Sequence, residues 1–121
     1  MNYLFVAAAA FLISIGIAHS FLGERLLIVP LFQEKSVQLF SRKPYMKPVL
    51  RFAWHITSIA WWGLALVIVD FAGIEHPPHM SVHAIAVTST VTGLIICCFT
   101  KGRHLAWIVF LAIASCLWGG M

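Results

Sequence analysis

Residues 3–22 read YLFVAAAAFLISIGIAHSFL, a run of 20 residues without Asp, Glu, Lys or Arg. An α-helix rises about 1.5 Å per residue, so the run spans about 30 Å, the thickness of the hydrocarbon core of a bilayer. A helix also satisfies its own backbone polar groups, as a lipid environment requires. The run therefore predicts a membrane-spanning helix. Because no basic segment precedes it and its apolar stretch is long, we expect a retained helix rather than a cleaved signal peptide.

Three further uncharged runs follow, with 18, 17 and 17 residues, at 52–69, 84–100 and 105–121. Of the 121 residues 61% are hydrophobic and 10% are charged, and the mean hydropathy is +0.94. Soluble domains carry about 25% charged residues. The runs thus predict a single all-α integral membrane domain over 1–121, a bundle of four transmembrane helices. The expected segments are helices at 3–22, 50–70, 80–100 and 104–120, and an interfacial segment at 26–46.

Breakers and turns indicate where the helices end. Residues 23–29 are still compatible with a helix, and Pro30 is the first breaker, so the first helix is expected to extend no further than this proline. Residues 31–46 mix apolar and basic positions, which is typical of an interfacial segment. The short turn Lys-Gly-Arg at 101–103 predicts that the third and fourth helices form an antiparallel hairpin.

The basic residues indicate the orientation in the membrane. All eight Lys and Arg lie in two segments on the same side of a four-helix weave, and the loop 70–82 has none. By the positive-inside rule these segments face the cytoplasm and both termini lie outside, in the periplasm, if the protein is in the bacterial inner membrane as we expect. Topology thus explains the basic charge, and no nucleic acid partner is expected. The eight residues are Arg25, Lys35, Arg42, Lys43, Lys47, Arg51, Lys101 and Arg103.

Three of the six histidines lie near the predicted cytoplasmic ends of three different helices. His19, His55 and His104 are each within six residues of a basic residue, so they share a depth within about 10 Å of the cytoplasmic charges. Ionisable groups in membrane segments are costly and commonly functional. Imidazole binds copper, zinc and haem iron, and Glu24 adds a carboxylate with Arg51 as its counter-ion. This group is predicted to hold a metal or to carry proton chemistry. The alternative is that each histidine bonds a backbone carbonyl or a lipid headgroup.

The other three histidines lie in the stretch EHPPHMSVH at 75–83. At the start of the third helix, His79 and His83 would be one turn apart on one face, a spacing that can bind one metal ion. His76, Glu75, Met80 or Asp70 could complete this outer site, and a thioether ligand favours copper(I). The alternative is a solvated loop.

Small and aromatic residues predict the helix contacts. Gly16, Ser20 and Gly23 lie on one side of the first helix, where small residues let a second helix approach closely. Trp61 and Trp62 fall near the middle of the second helix, away from the aromatic belts at the membrane surfaces. They are predicted to fill a core or an oligomer contact, or to line a hydrophobic ligand pocket.

Three function classes remain open. The sequence contains no catalytic triad, phosphate-binding loop or c-type haem signature. The first hypothesis is a metal-binding redox protein, a copper-dependent membrane oxidoreductase that oxidises a quinol or another lipophilic substrate, with haem b or zinc as alternative cofactors. The second is a metal-ion or proton transporter or channel, and the third is an accessory or assembly subunit of a larger membrane complex. Because four short helices enclose little space, we also expect a homo-oligomer.

Overall fold

A computed structural model describes residues 1–34 and 46–121, and these ranges are helical apart from short connections. The four helices are α1 (Tyr3–Gln33), α2 (Met46–Ala72), α3 (His79–Thr100) and α4 (Ala106–Gly120). The predicted all-α class with four helices is confirmed. Of the predicted interfacial segment, residues 26–33 belong to α1, and residues 35–45 lie outside the described residues.

Three of the helices, α1, α2 and α3, are long and apolar enough to cross a membrane. The fourth is apolar but has only 15 residues, which span about 22 Å and fall short of a hydrocarbon core of about 30 Å. It begins at Ala106 rather than at 104, because residues 101–105 form the turn that precedes it. The molecule is therefore a multi-pass helical membrane protein with a fourth helix shorter than predicted.

Helix α1 does not end at Pro30, and that prediction was wrong. It is α-helical over Tyr3–Gly23, widens to a π-helix over Glu24–Ile28 and continues as an α-helix over Val29–Gln33. A proline inside an α-helix lacks an N–H group and crowds the carbonyl of the preceding turn. Pro30 lies in the first turn after the π segment, where the wider turn changes the hydrogen-bond register and the helix tolerates the proline.

The order of the packed helices differs from their order in the chain. Helix α1 packs along α2 and along α4, and α4 packs along α3. Helices α2 and α3 follow each other in sequence, yet their described residues make almost no contact. An open face therefore separates α2 from α3. The largest fully buried side chains of the core include Phe5, Leu12, Ile68, Ile113 and Leu117.

A tight turn joins α3 to α4. Lys101 and Gly102 adopt left-handed backbone angles, with φ of 51° and 74°. Their amides donate to the carbonyls of Cys98 at 3.3 Å and Cys97 at 2.9 Å. These bonds satisfy carbonyl groups at the end of α3 and reverse the chain within a few residues. Since α3 and α4 also pack against each other, the predicted hairpin is confirmed.

Asn2 connects the ends of three helices. Its side-chain oxygen accepts from the amides of Leu4 at 3.1 Å and Phe5 at 3.4 Å and so caps α1. Its side-chain amide donates to the carbonyl of Gly120 at 2.7 Å, and its backbone amide donates to the carbonyl of Ala72 at 2.8 Å. We call this end of the bundle the terminal end. The opposite end, which carries the described Lys and Arg residues, is the basic end.

Two glycines of α1 receive tryptophans of α2. A β-carbon at Gly16 would overlap the indole of Trp62, and one at Gly23 would overlap the indole of Trp54. Only a residue without a side chain allows this approach. The predicted contact side of the first helix is confirmed, and Trp62 belongs to this helix contact.

Candidate functional site

An ion pair joins α1 and α2 at the basic end. Oε1 of Glu24, the first residue of the π segment, lies 2.8 Å from Nη2 of Arg51. The carboxylate side chain is 28% exposed and the guanidinium side chain 49%. Exposed ion pairs contribute about 0–1 kcal/mol to stability. The pair therefore matters less for stability than for placing a charged carboxylate where water meets the bundle.

His55 uses both of its ring nitrogens. Its Nε2 lies 3.2 Å from Oε2 of Glu24, and its Nδ1 lies 3.0 Å from the hydroxyl of Ser20. The Ser20 hydroxyl is hydrogen-bonded to that of Ser58 at 2.9 Å, and Ser58 is fully buried. We call the connected residues Arg51, Glu24, His55, Ser20 and Ser58 the Glu24–His55 network. It leads from the exposed basic end into the interface between α1 and α2.

Helical spacing brings the network together. Ser20 and Glu24 are four residues apart on α1, and the residues of α2 are separated by four and three positions. Each set therefore lies on one face of its helix. The sequence predicted the grouping of Glu24, Arg51 and His55 but not the role of Ser58. The sequence signal for Ser58 is its place three residues after His55 in an apolar helix, which puts its hydroxyl on the same face as the histidine.

His19 lies beside the network among aromatic rings. It stacks on Trp54 with ring centroids 4.4 Å apart and planes inclined by 6°, and Trp61 meets it edge-on at 5.0 Å. The hydroxyl of Thr57 donates to the carbonyl of Trp54 at 2.7 Å and lies 3.0 Å from Nε2 of His19. Because the hydroxyl has only one proton to give, Nε2 of His19 is the donor to Thr57. Packing and this bond together fix the ring.

His104 has a local role in the turn before α4. Its Nδ1 accepts from the amide of Ala106 at 3.3 Å, and its own amide donates to the hydroxyl of Thr100 at 3.4 Å. The side chain thereby satisfies one of the free amides at the start of a helix. The structure places His19 and His55 on the α1–α2 pair and His104 between α3 and α4. Shared metal ligation by these histidines and Glu24 stays a prediction.

The histidines at 75–83 divide between two environments at the terminal end. Nδ1 of His83 donates to the carbonyl of His79 at 2.8 Å, and its ring meets Trp118 edge-on at 5.2 Å. His76 and His79 line an open cavity of about 490 Å³. The expected one-turn spacing of His79 and His83 is present, but one nitrogen of His83 is engaged by its own helix. An outer metal site stays a prediction.

Over residues 1–34 and 46–121, no three His, Cys, Asp or Glu side chains form a group that could hold a metal ion. The expectation of copper, with haem b or zinc as alternatives, therefore rests on the sequence pattern. At His55 both nitrogens already have protein partners. This arrangement favours proton chemistry over metal ligation at that residue.

A second cavity, of about 240 Å³, lies between α2 and α3, and we call it the α2–α3 cavity. Trp61 forms part of its wall and meets Phe110, which also lines it, edge-on at 5.3 Å. Trp62 instead donates its indole N–H to the carbonyl of Ile13 at 3.3 Å and is not part of the wall. Of the two predicted pocket residues, Trp61 thus lines the α2–α3 cavity and Trp62 does not. The hydroxyl side chains that line it are Thr88, Ser89 and Thr92.

The chain matches no protein-family model, no curated protein and no solved structure. Its class follows from its own fold, a multi-pass helical membrane protein with a hydrogen-bonded network that starts at one surface. The hydrogen bonds of the Glu24–His55 network are therefore the starting point for assigning a function.

Proposed function

We propose that the protein exchanges protons between the aqueous phase at its basic end and a lipophilic partner in the bilayer. The observation that carries this proposal is the double engagement of His55, by a carboxylate on Nε2 and by a chain of two serines on Nδ1. Histidine is the side chain that most readily changes its charge near neutral pH. Ionisable groups within membrane helices commonly serve such a purpose.

The network accommodates His55 with one or two ring protons. With one proton, on Nδ1, the ring donates to Ser20, whose hydroxyl donates to Ser58, and Nε2 is free to accept a proton that Glu24 takes up from water. With this second proton on Nε2, the ring donates to the carboxylate of Glu24 and still donates to Ser20. The separations of 3.2, 3.0 and 2.9 Å suit hydrogen bonds in both states. Proton uptake from Glu24 thus requires no movement of the helices.

Glu24 connects this chain to water. Its carboxylate is partly exposed and is held by Arg51 through Oε1, while Oε2 faces His55. A negative charge at Oε2 offsets the positive charge of a doubly protonated ring. We therefore assign Glu24 the transfer of protons between water and His55.

The partner of the network lies in the bilayer rather than in the opposite aqueous phase. Towards the terminal end, fully buried apolar residues such as Leu12 and Ile68 fill the bundle beyond Ser58. Sideways, His19 meets Trp61, which lines the α2–α3 cavity. This geometry favours exchange with a membrane-dissolved molecule over a continuous transmembrane proton channel.

A quinol or quinone is the partner that we expect, since it dissolves in lipid and exchanges protons. Oxidation of the quinol by copper would add electron transfer to this proton exchange. It requires a metal site outside the network. We also expect the protein to lie in the bacterial inner membrane as a homo-oligomer, because four short helices enclose little space of their own.

Proton transfer to a lipophilic pH indicator in nanodiscs tests the proposal. After an acid jump in the aqueous phase, nanodiscs that contain the protein should protonate the indicator faster than empty nanodiscs. His55→Gln retains a polar side chain but cannot take up a proton. We expect it to lower the protein-dependent rate by about tenfold or more, since positioned proton-transfer groups contribute about 10²–10⁴-fold. Glu24→Gln should act in the same direction.

His83→Gln is the matched control, because His83 lies at the terminal end and its ring hydrogen-bonds to a carbonyl of its own helix. This variant should keep the wild-type rate. Equal rates for the wild type and His55→Gln would refute the proposal.

A further inference from the structure

Hydroxyl groups in apolar helices commonly bond to the carbonyl one turn earlier. Among residues 1–34 and 46–121, four hydroxyls do so at 2.6 to 2.9 Å, and they belong to Ser14, Thr90, Thr100 and Ser115. Such a bond removes the cost of an unsatisfied polar group in lipid. These four residues show how the chain normally satisfies a hydroxyl within a membrane segment.

Thr88, Ser89 and Thr92 depart from this rule. Within the described residues, none of their hydroxyls has a hydrogen-bond partner. All three line the α2–α3 cavity. Ser89 is only 5% exposed, so its hydroxyl meets the surroundings through the cavity. The three side chains thus present unused hydrogen-bonding capacity to whatever occupies this space.

The cavity opens sideways into the bilayer. Its two walls belong to helices that make almost no contact, and Thr88 is halfway along α3, the tenth of its 22 residues. Its volume is about 240 Å³, slightly below the range of about 300–1,000 Å³ that is usual for ligand pockets. The space suits a head group of one ring, with a tail that remains in lipid.

We propose that the α2–α3 cavity binds the head group of a lipophilic quinone. Trp61 and Phe110 provide aromatic surface for a flat ring. The three hydroxyls can donate to its carbonyl oxygens. No charged side chain is among the described residues of the wall, which fits a neutral ring and not a charged headgroup. An acyl chain would fill the space but leave the hydroxyls unpaired.

This inference deepens the proposed function and rests on it for the role of the bound molecule. Trp61 lies between the cavity and His19, whose ring it meets at 5.0 Å, and His19 precedes Ser20 of the network in sequence. The ligand would therefore lie one aromatic ring away from His19, the neighbour of the network in sequence. Binding itself can be measured without any assay of proton transfer.

Titration with a short-chain ubiquinone analogue in nanodiscs tests the inference, with quenching of tryptophan fluorescence as the signal. The wild type should show saturable quenching. The triple variant Thr88→Val, Ser89→Ala, Thr92→Val should bind at least about tenfold more weakly, because it loses its hydrogen bonds to the ring. Should the triple variant not fold, Ser89→Ala alone should weaken binding by a few fold. Ala84→Phe places a large side chain in the cavity wall without adding a tryptophan and should abolish binding.

The matched control combines Ser14→Ala with Ser115→Ala, whose hydroxyls bond to carbonyls of their own helices; it should bind like the wild type. His55→Gln should also keep its affinity while it loses proton transfer, so the two proposals fail separately. Quenching that does not saturate, or that is unchanged in the triple variant, overturns the inference. Efficient cross-linking between two Thr88→Cys chains would assign the cavity to a second copy and would also overturn it.

Discussion

At the scale of single residues, His55 differs from His19 in what its ring can do. The ring of His55 faces the carboxylate of Glu24 at one nitrogen and the hydroxyl of Ser20 at the other. A proton can therefore enter at the first nitrogen and leave from the second. His19 is stacked on Trp54 and donates to Thr57, an arrangement that fixes both rings. We therefore assign proton exchange to His55 and a positioning role to His19.

Asn2 is the residue whose loss should most affect the terminal end. Asn2→Ala removes the cap of α1 and the side-chain bond to Gly120, and we expect it to lower the free energy of unfolding by about 1–3 kcal/mol. Asn2→Asp retains the capping oxygen but lacks the amide donor, so its effect should be intermediate. Denaturant unfolding in detergent micelles measures both variants. If Asn2→Asp is as stable as the wild type, the bond to Gly120 contributes nothing.

At the scale of helices, the π segment of α1 has two consequences. It begins at Glu24, the residue that connects the network to water, and it allows the chain to pass Pro30 as a helix. Single π turns are rare and occur frequently at functional sites. Its position here supports the assignment of function to the basic end of the α1–α2 pair.

The close packing of α1 on α2 can be tested with three glycines. Gly16→Ala and Gly23→Ala should each destabilise the protein by about 1–3 kcal/mol, because the added β-carbon overlaps an indole of α2. Gly63 is the matched control on α2, since a β-carbon there meets nothing within 4 Å. Gly63→Ala should be neutral or stabilising by up to about 1 kcal/mol. Thermal unfolding in micelles should show lower melting temperatures for the two α1 variants than for Gly63→Ala. Equal effects at all three positions would contradict the packing.

At the scale of the whole molecule, the sequence predicts depth in the membrane better than position around the bundle. Uncharged runs indicate the helices because length and apolarity are local properties. The pairing of helices is not local, since lipid provides no hydrophobic drive for it and small residues and side-chain fit decide it. His55 and His104 were thus correctly placed near the basic end, but only His55 lies on the α1–α2 pair. The α2–α3 cavity follows from helix pairing and had no sequence signal beyond Trp61.

Orientation of the bundle decides the direction of proton exchange, and cysteine labelling in intact cells tests it. In a background without Cys97, Cys98 and Cys116, a membrane-impermeant maleimide should label Ile74→Cys at the terminal end almost completely. Lys101→Cys at the basic end should react only after the cells are permeabilised, because basic segments remain in the cytoplasm. Both positions are exposed, so burial cannot explain a difference between them. The opposite pattern would turn the Glu24–His55 network to the outside, and protons would then be exchanged with the aqueous phase on that side.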